Sequence, residues 1–215
     1  MGVEPDTAQL GLREAKKQET RELISDRATQ LFIEQGFERT TIAEIATAAR
    51  VAKKTVTNYF ARKEDLVFDH QEEFIASLAH AVVTRRPGES ALTALRKAFE
   101  TAVETRNPVA GFAGPDFSRM IAESPTLSAC LRGLHDQREQ ALAEALADAV
   151  GEPRTDTTVR TAAALLGAVH RTLFQRIQEL TFAGRTNDEI AATLAAEATP
   201  AFDLLEPALG DYAVA

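Results

Sequence analysis

Six residues in a row of eight carry the polar chemistry that stands out in this sequence: Lys53, Lys54, Thr55, Thr57, Asn58 and Tyr59, interrupted by Val56 and closed by Phe60. Lysine, threonine, asparagine and tyrosine at this density offer donors and small hydroxyls on one helical face. Val56 and Phe60, four apart, make the opposite face apolar. Such a helix suits the major groove of a duplex, where its N-terminal residues would meet base edges. No rival chemistry has comparable support. The histidines His70, His80, His135 and His170 do not pair at three- or four-residue spacing, and the one cysteine, Cys130, joins no cluster, so no metal site is expected. Neither a nucleophile elbow, nor a phosphate loop, nor a dinucleotide fingerprint occurs, and Asp116, Glu123 and Asp136 form no recognisable acid–base pair. The expectation is a protein that is not an enzyme and carries no cofactor.

The elements that must hold such a helix lie around it. Ile24, Ala28, Leu31 and Phe32 define the core face of a first helix from about Arg13 to Gln35. Gly36 supplies a left-handed ending, with Phe37 folding back on it. Thr41 and Glu44 form a capping box that opens a short second helix, Ile42 to about Ala49. Arg50-Val51 is the turn, and Lys53–Tyr59 the third helix. Two short helices joined by a tight turn on a longer support make a helix-turn-helix.

The stretch resembles the DNA-binding domain of the TetR family of bacterial regulators. The resemblance rests on Thr40-Thr41-Ile42, Ile45-Ala46, Val51, Thr55-Val56-Thr57-Asn58-Tyr59-Phe60 and Lys63-Glu64-Asp65-Leu66, and reaches back through Gly36-Phe37 and Ala28-Leu31-Phe32. It covers roughly the first third of the chain. It implies that Lys53, Lys54, Thr55 and Thr57 contact base edges, and that Thr41, Asn58, Tyr59 and Lys63 hold phosphates. The other reading of Tyr59 is a half-buried core aromatic. Arg13, Lys16 and Lys17 fit either a solvated face of the first helix or contacts to backbone or minor groove. The chain departs from the family pattern at four places. Arg50 stands where glycine is usual and could compensate with a phosphate contact, Ala52 where a serine caps the third helix, Lys54 where glycine is common, and Arg62 where serine or asparagine precedes Lys63.

The remainder reads as helical throughout, so the fold class is all-α: a three-helix DNA-binding domain followed by a helical ligand-binding and dimerisation domain, about nine helices in total. The expected division is a tail over 1–12, the DNA-binding domain over 13–62 and the larger domain over 63–215. A fourth helix is expected from about Arg62 to Arg85, and Pro200 should kink or interrupt the ninth. Charge follows the same division. Residues 1–63 hold 11 Lys/Arg and 9 Asp/Glu, while residues 64–215 hold 13 and 23. A net −8 chain with a weakly basic head suits a DNA reader on an acidic body.

By the resemblance, the body dimerises and binds a small molecule. The small apolar seam of Ala162, Ala163, Leu166, Gly167, Val169 and Leu173, continued by Ile190, Leu194 and Ala198, is the expected interface between two copies, the other reading being ordinary intramolecular core. Phe74, Leu78, Phe99, Val103, Phe117, Met120, Leu127, Leu131 and Phe174 are candidate pocket walls, with His135 and His170 as polar handles. Apolar walls would suit a lipophilic or aromatic effector. The expected partners are thus a near-palindromic DNA duplex, a second copy of the chain and an effector whose binding swings the fourth helix and releases the DNA. The alternative is a regulator or activator that binds DNA without any ligand. No signal-peptide pattern opens the sequence and no apolar run reaches membrane-spanning length, so the expected setting is cytoplasmic, without a membrane partner.

Overall fold

The computed structural model describes the backbone of residues 7–215 and the side chains of residues 13–215. Of the expected tail, residues 1–6 lie outside the described residues, and the backbone is already helical at Thr7. Ten α-helices are present among the described residues and no strand, in two compact units, Met1–Asp69 and His70–Ala215.

The first unit holds α1 (Thr7–Gln35), α2 (Ile42–Ala48) and α3 (Lys53–Tyr59). Its core is built from one side of each helix: Ile24, Ala28 and Phe32 of α1, Ile45 and Ala46 of α2, and Val56 and Phe60 at the end of α3. Gly36 takes the left-handed conformation at φ +88°, which turns the chain so that the Phe37 ring packs 5.0 Å from that of Phe32.

The expected fourth helix does not begin at Arg62. A single 3-10 turn, Glu64–Leu66, stands there instead, and α4 begins only at Gln71. Side-chain bonds hold this segment. Asp65 accepts from the Arg62 amide at 2.9 Å and from its guanidinium. Ser25, reaching across from α1, shares its one hydroxyl proton between Asp69 at 2.6 Å and the Leu66 carbonyl at 3.1 Å. The turn buries Leu66, Val67 and Phe68 and stays with the first unit, so the units divide after Asp69.

The second unit holds α4 (Gln71–Val83), α5 (Ala91–Glu104), α6 (Pro115–Glu123), α7 (Pro125–Val150), α8 (Thr157–Phe182), α9 (Asn187–Asp203) and a short α10 (Glu206–Leu209). Serine caps open α5 and α7, Asp156 opens α8, and a second capping box, Thr186 with Glu189, opens α9. α9 runs on through Pro200 to Asp203, so the proline does not interrupt it. After α10 the chain returns to the turn between α4 and α5. Ala215 and the Gly88–Glu89 segment exchange two backbone hydrogen bonds, at 3.0 and 3.1 Å, and the Ala91 amide and Arg85 Nε donate to the carbonyls of Tyr212 and Ala213.

The seam expected between two copies is intrachain core. Ala162, Ala163, Leu166, Gly167 and Leu173 on α8, and Ile190, Leu194 and Ala198 on α9, are buried in the single chain, and Val169 is half-buried against the same core. Their partners there include Leu142 and Leu146 of α7 and Leu92, Leu95 and Phe99 of α5. A Cβ on Gly167 would meet the Glu139 side chain at 3.3 Å, so the small residue serves the close approach of α7 to α8. What α8 leaves outward is another arc, Thr161, Leu165, Ala168, Thr172, Gln175, Glu179 and Phe182. Leu165 and Phe182 are 40% and 52% exposed. α9 adds an outward face of Ala192, Ala195, Ala196 and Thr199.

Candidate DNA-binding interface

Thr41 sets the start of α2. Its hydroxyl oxygen accepts from the Glu44 amide at 3.3 Å and donates to the Glu44 carboxylate at 2.7 Å, and Glu44 accepts in turn from the Thr41 amide at 2.8 Å. The Thr41 hydroxyl, its amide and the charge of Lys63 together hold the Glu44 carboxyl below its ordinary range. Thr41 is exposed, so its hydroxyl serves the cap while standing at the surface.

The end of α2 is a Schellman closure. The Arg50 amide donates to the Thr47 carbonyl at 3.1 Å and the Val51 amide to the Ala46 carbonyl at 2.9 Å. Arg50 occupies the left-handed position of that motif, at φ 55°, where glycine would be unstrained. Its side chain is exposed. A strained arginine at this place costs about 1–2 kcal/mol of backbone energy relative to a relaxed conformation.

α3 buries Val56 completely and half-buries Thr55 and Tyr59, leaving Lys53, Lys54, Thr57 and Asn58 outward. Among the described residues neither lysine pairs with a carboxylate. Two cations, a hydroxyl and an amide thus share the outward arc of a seven-residue helix. Ala52 caps α3 with no side-chain hydrogen bond. Ala52→Ser is therefore expected to stabilise the first unit by about 1 kcal/mol, read as a shift in denaturant midpoint at unchanged m-value.

Two further residues fix this helix. Arg21, on α1, donates from Nη1 to the Tyr59 carbonyl at 3.2 Å and lies 4.5 Å over the Phe60 ring. It places a cation on the carbonyl end of α3, where the helix dipole favours one. Nothing in its sequence neighbourhood marks it, because its partners are 38 residues away. Lys63 is half-buried. Its Nζ sits 4.2 Å from the Phe37 ring centre and donates to the Glu38 carbonyl at 3.4 Å. Its stem therefore lies against the core, which sets the reach of its charge.

A weakly basic unit in which two short helices meet at a tight turn, the second presenting lysines on a rigid face, is matched along residues 24–69 by the family model described as bacterial regulatory proteins, tetR family. That segment is similar to the DNA-binding part of the TetR family. A curated relative, the HTH-type transcriptional regulator TcmR of Streptomyces glaucescens, is 35% identical over 89 residues, 41% of this chain and 39% of TcmR. The chain thus spans about two fifths of the length of that relative. Solved structures share the fold over most of the chain. A putative TetR-family regulator from Syntrophomonas wolfei superposes at TM-score 0.55 with 18% identity, over 86% of this chain and 96% of that one. The SmeT–triclosan complex does so at 0.51 with 21% identity, over 82% and 90%.

In the second unit, the candidate pocket residues Phe74, Leu78, Phe99, Val103, Met120, Leu127, His135 and His170 are buried, and Phe117, Leu131 and Phe174 are half-buried. Two edge-to-face clusters collect several of them. Phe74, His135 and Phe174 meet at centroid distances of 5.0–6.2 Å. Phe99, His170 and Phe202 meet at 5.5–6.1 Å, with Phe202 a member that the sequence pattern did not single out. Burial, reinforced by the charge of Arg138, pushes His135 down to about 4 and His170 to about 3, so both rings are neutral at physiological pH. Among the described residues no helix is long and apolar enough to cross a membrane.

Proposed function

We propose that the chain is a homodimeric, sequence-specific repressor that leaves a near-palindromic operator when a small molecule binds its body. The observation that carries the DNA-binding part is the outward face of α3, where Lys53, Lys54, Thr57 and Asn58 stand exposed on a helix locked by Val56, Phe60 and Arg21. Lysines and threonines held on a rigid scaffold can read guanine acceptors and thymine methyls, and exposed Arg50 and Thr41 stand ready for phosphates. Dimerisation is supported by the outward stripe of α8, with Leu165 and Phe182 exposed, beside the alanine face of α9. Release by ligand is supported by the aromatic clusters in the body and by the SmeT structure, which is a complex with triclosan.

The test is selection of bound duplexes from a random library by the purified chain. Enrichment of an inverted repeat with half-sites about one helical turn apart is the expected outcome. Enrichment of single, unpaired sites would overturn the dimeric reading, and the lack of any enrichment at low salt would overturn the sequence-specific one.

A further inference from the structure

Arg138, on α7, is a buried cation without a counter-charge. It is only 8% exposed. Its Nε donates to the Ser77 hydroxyl at 2.9 Å, and its guanidinium lies 4.7 Å over the Phe74 ring. Ser77 gives its own proton to the Phe74 carbonyl, at 2.8 Å. The two Nη nitrogens find no acceptor among the described residues and are not wholly shut off from solvent. The acids nearest in sequence are already engaged: Asp136 and Glu139 both pair with Arg171, at 3.4 and 3.3 Å. The two histidines that feel the charge of Arg138 are neutral and offset nothing. Burial lowers Arg138 itself only to about 10, so it stays a cation at neutral pH. One of those histidines, His170, also has a buried Nε2 with no hydrogen-bond partner.

An unpaired buried guanidinium is costly, because desolvation is not returned by any anion. Natural interiors pair such groups almost without exception. Here the guanidinium lies over the face of Phe74, whose ring packs edge-to-face with His135 of α7 and Phe174 of α8. That combination suits a planar anion on an apolar skeleton. A carboxylate would take the two free Nη donors in a bidentate fork, and the flat body would meet Phe74, His135 and Phe174.

We propose that Arg138 is the anchoring group of the effector site and that the effector is an aromatic carboxylate. This rests on the ligand-released reading above and names the ligand class that reading leaves open. His170 Nε2 is the second polar group available to such a ligand.

The test uses the full chain and a matched set of probes: benzoate, naphthoate and, as the neutral counterpart, naphthylmethanol. Binding is followed by thermal shift and titration calorimetry, on the native chain and on Arg138→Met and Arg138→Lys. The expected result is an affinity for naphthoate at least tenfold above that for naphthylmethanol. That preference should vanish in Arg138→Met and persist in weakened form in Arg138→Lys. Arg138→Met removes a buried charge while keeping an unbranched stem, so a folded protein is expected, and its melting temperature without ligand should rise. Equal binding of acid and alcohol by the native chain would overturn the proposal. So would an acid preference that survives in Arg138→Met, or failure of both acids to bind. Operator release is scored separately by mobility shift. Release by a neutral compound alone would sink the carboxylate and leave the ligand-released repressor standing.

Discussion

Lowering the pH from about 7.5 to about 4.5 is expected to remove about 5 kcal/mol of stability from the second unit, most of what a domain of ordinary stability possesses. His135 and His170 are the cause. In the unfolded chain each titrates near its model value of 6.5, whereas in the folded unit burial holds them at about 4 and about 3. A folded value below the unfolded one means that the unfolded chain binds more protons throughout the interval between them. Stability is therefore complete above about pH 6.5 and falls as the pH drops towards the folded values. Each histidine costs about 1.4 kcal/mol per pH unit within that window, so the pair gives a slope near 2.7. The measurement is urea unfolding of the chain from pH 7.5 down to 4.5. His170→Leu, which puts an aliphatic side chain between Phe99 and Phe202, should be nearly as stable at pH 7.5 and should halve the slope. An unchanged slope in that variant would remove His170 from the account.

Lys54→Ala is expected to weaken operator binding by roughly 30- to 25,000-fold and to relax sequence preference at one position in each half-site. The size of the effect follows from symmetry. A well-placed base contact contributes about 1–3 kcal/mol of discrimination, and a dimer makes it twice. Lys54 is exposed at the start of α3 and occupies a position where the family commonly has glycine, so the contact is an addition of this chain to the shared scaffold. Its loss leaves Val56 and Phe60 in place, and the head should remain folded, which circular dichroism checks. A contrasting pattern, with binding weakened equally across all sequences and the salt dependence reduced by about one, would make Lys54 a phosphate contact instead.

The first unit was readable in the sequence because its determinants are local. The Thr41–Glu44 capping box, Gly36 and the Val56–Phe60 pair each act within four residues, and each appears where the spacing places it. The late start of α4 was not readable, since the segment before it is tied to Ser25, 41 residues from Leu66. The arc of α8 that faces inward was misjudged for a different reason. Alanines and leucines surround much of that helix, with Ala162, Ala163 and Ala164 consecutive, so periodicity alone does not choose between neighbouring arcs. What chose was packing against α5 and α7. Arg138 was invisible among 24 basic residues, because nothing in its flanking sequence tells a buried guanidinium from a solvated one.

The return of the chain to the α4–α5 turn has a practical bearing on how this molecule can be watched. With Ala215 exchanging two backbone bonds with Gly88 and Glu89, a dye coupled to the last residue does not tumble on a loose tether. Its anisotropy reports on the turn itself. A fluorophore there, paired with one on Cys130, would turn strain between the α4–α5 corner and α7 into a change in energy transfer.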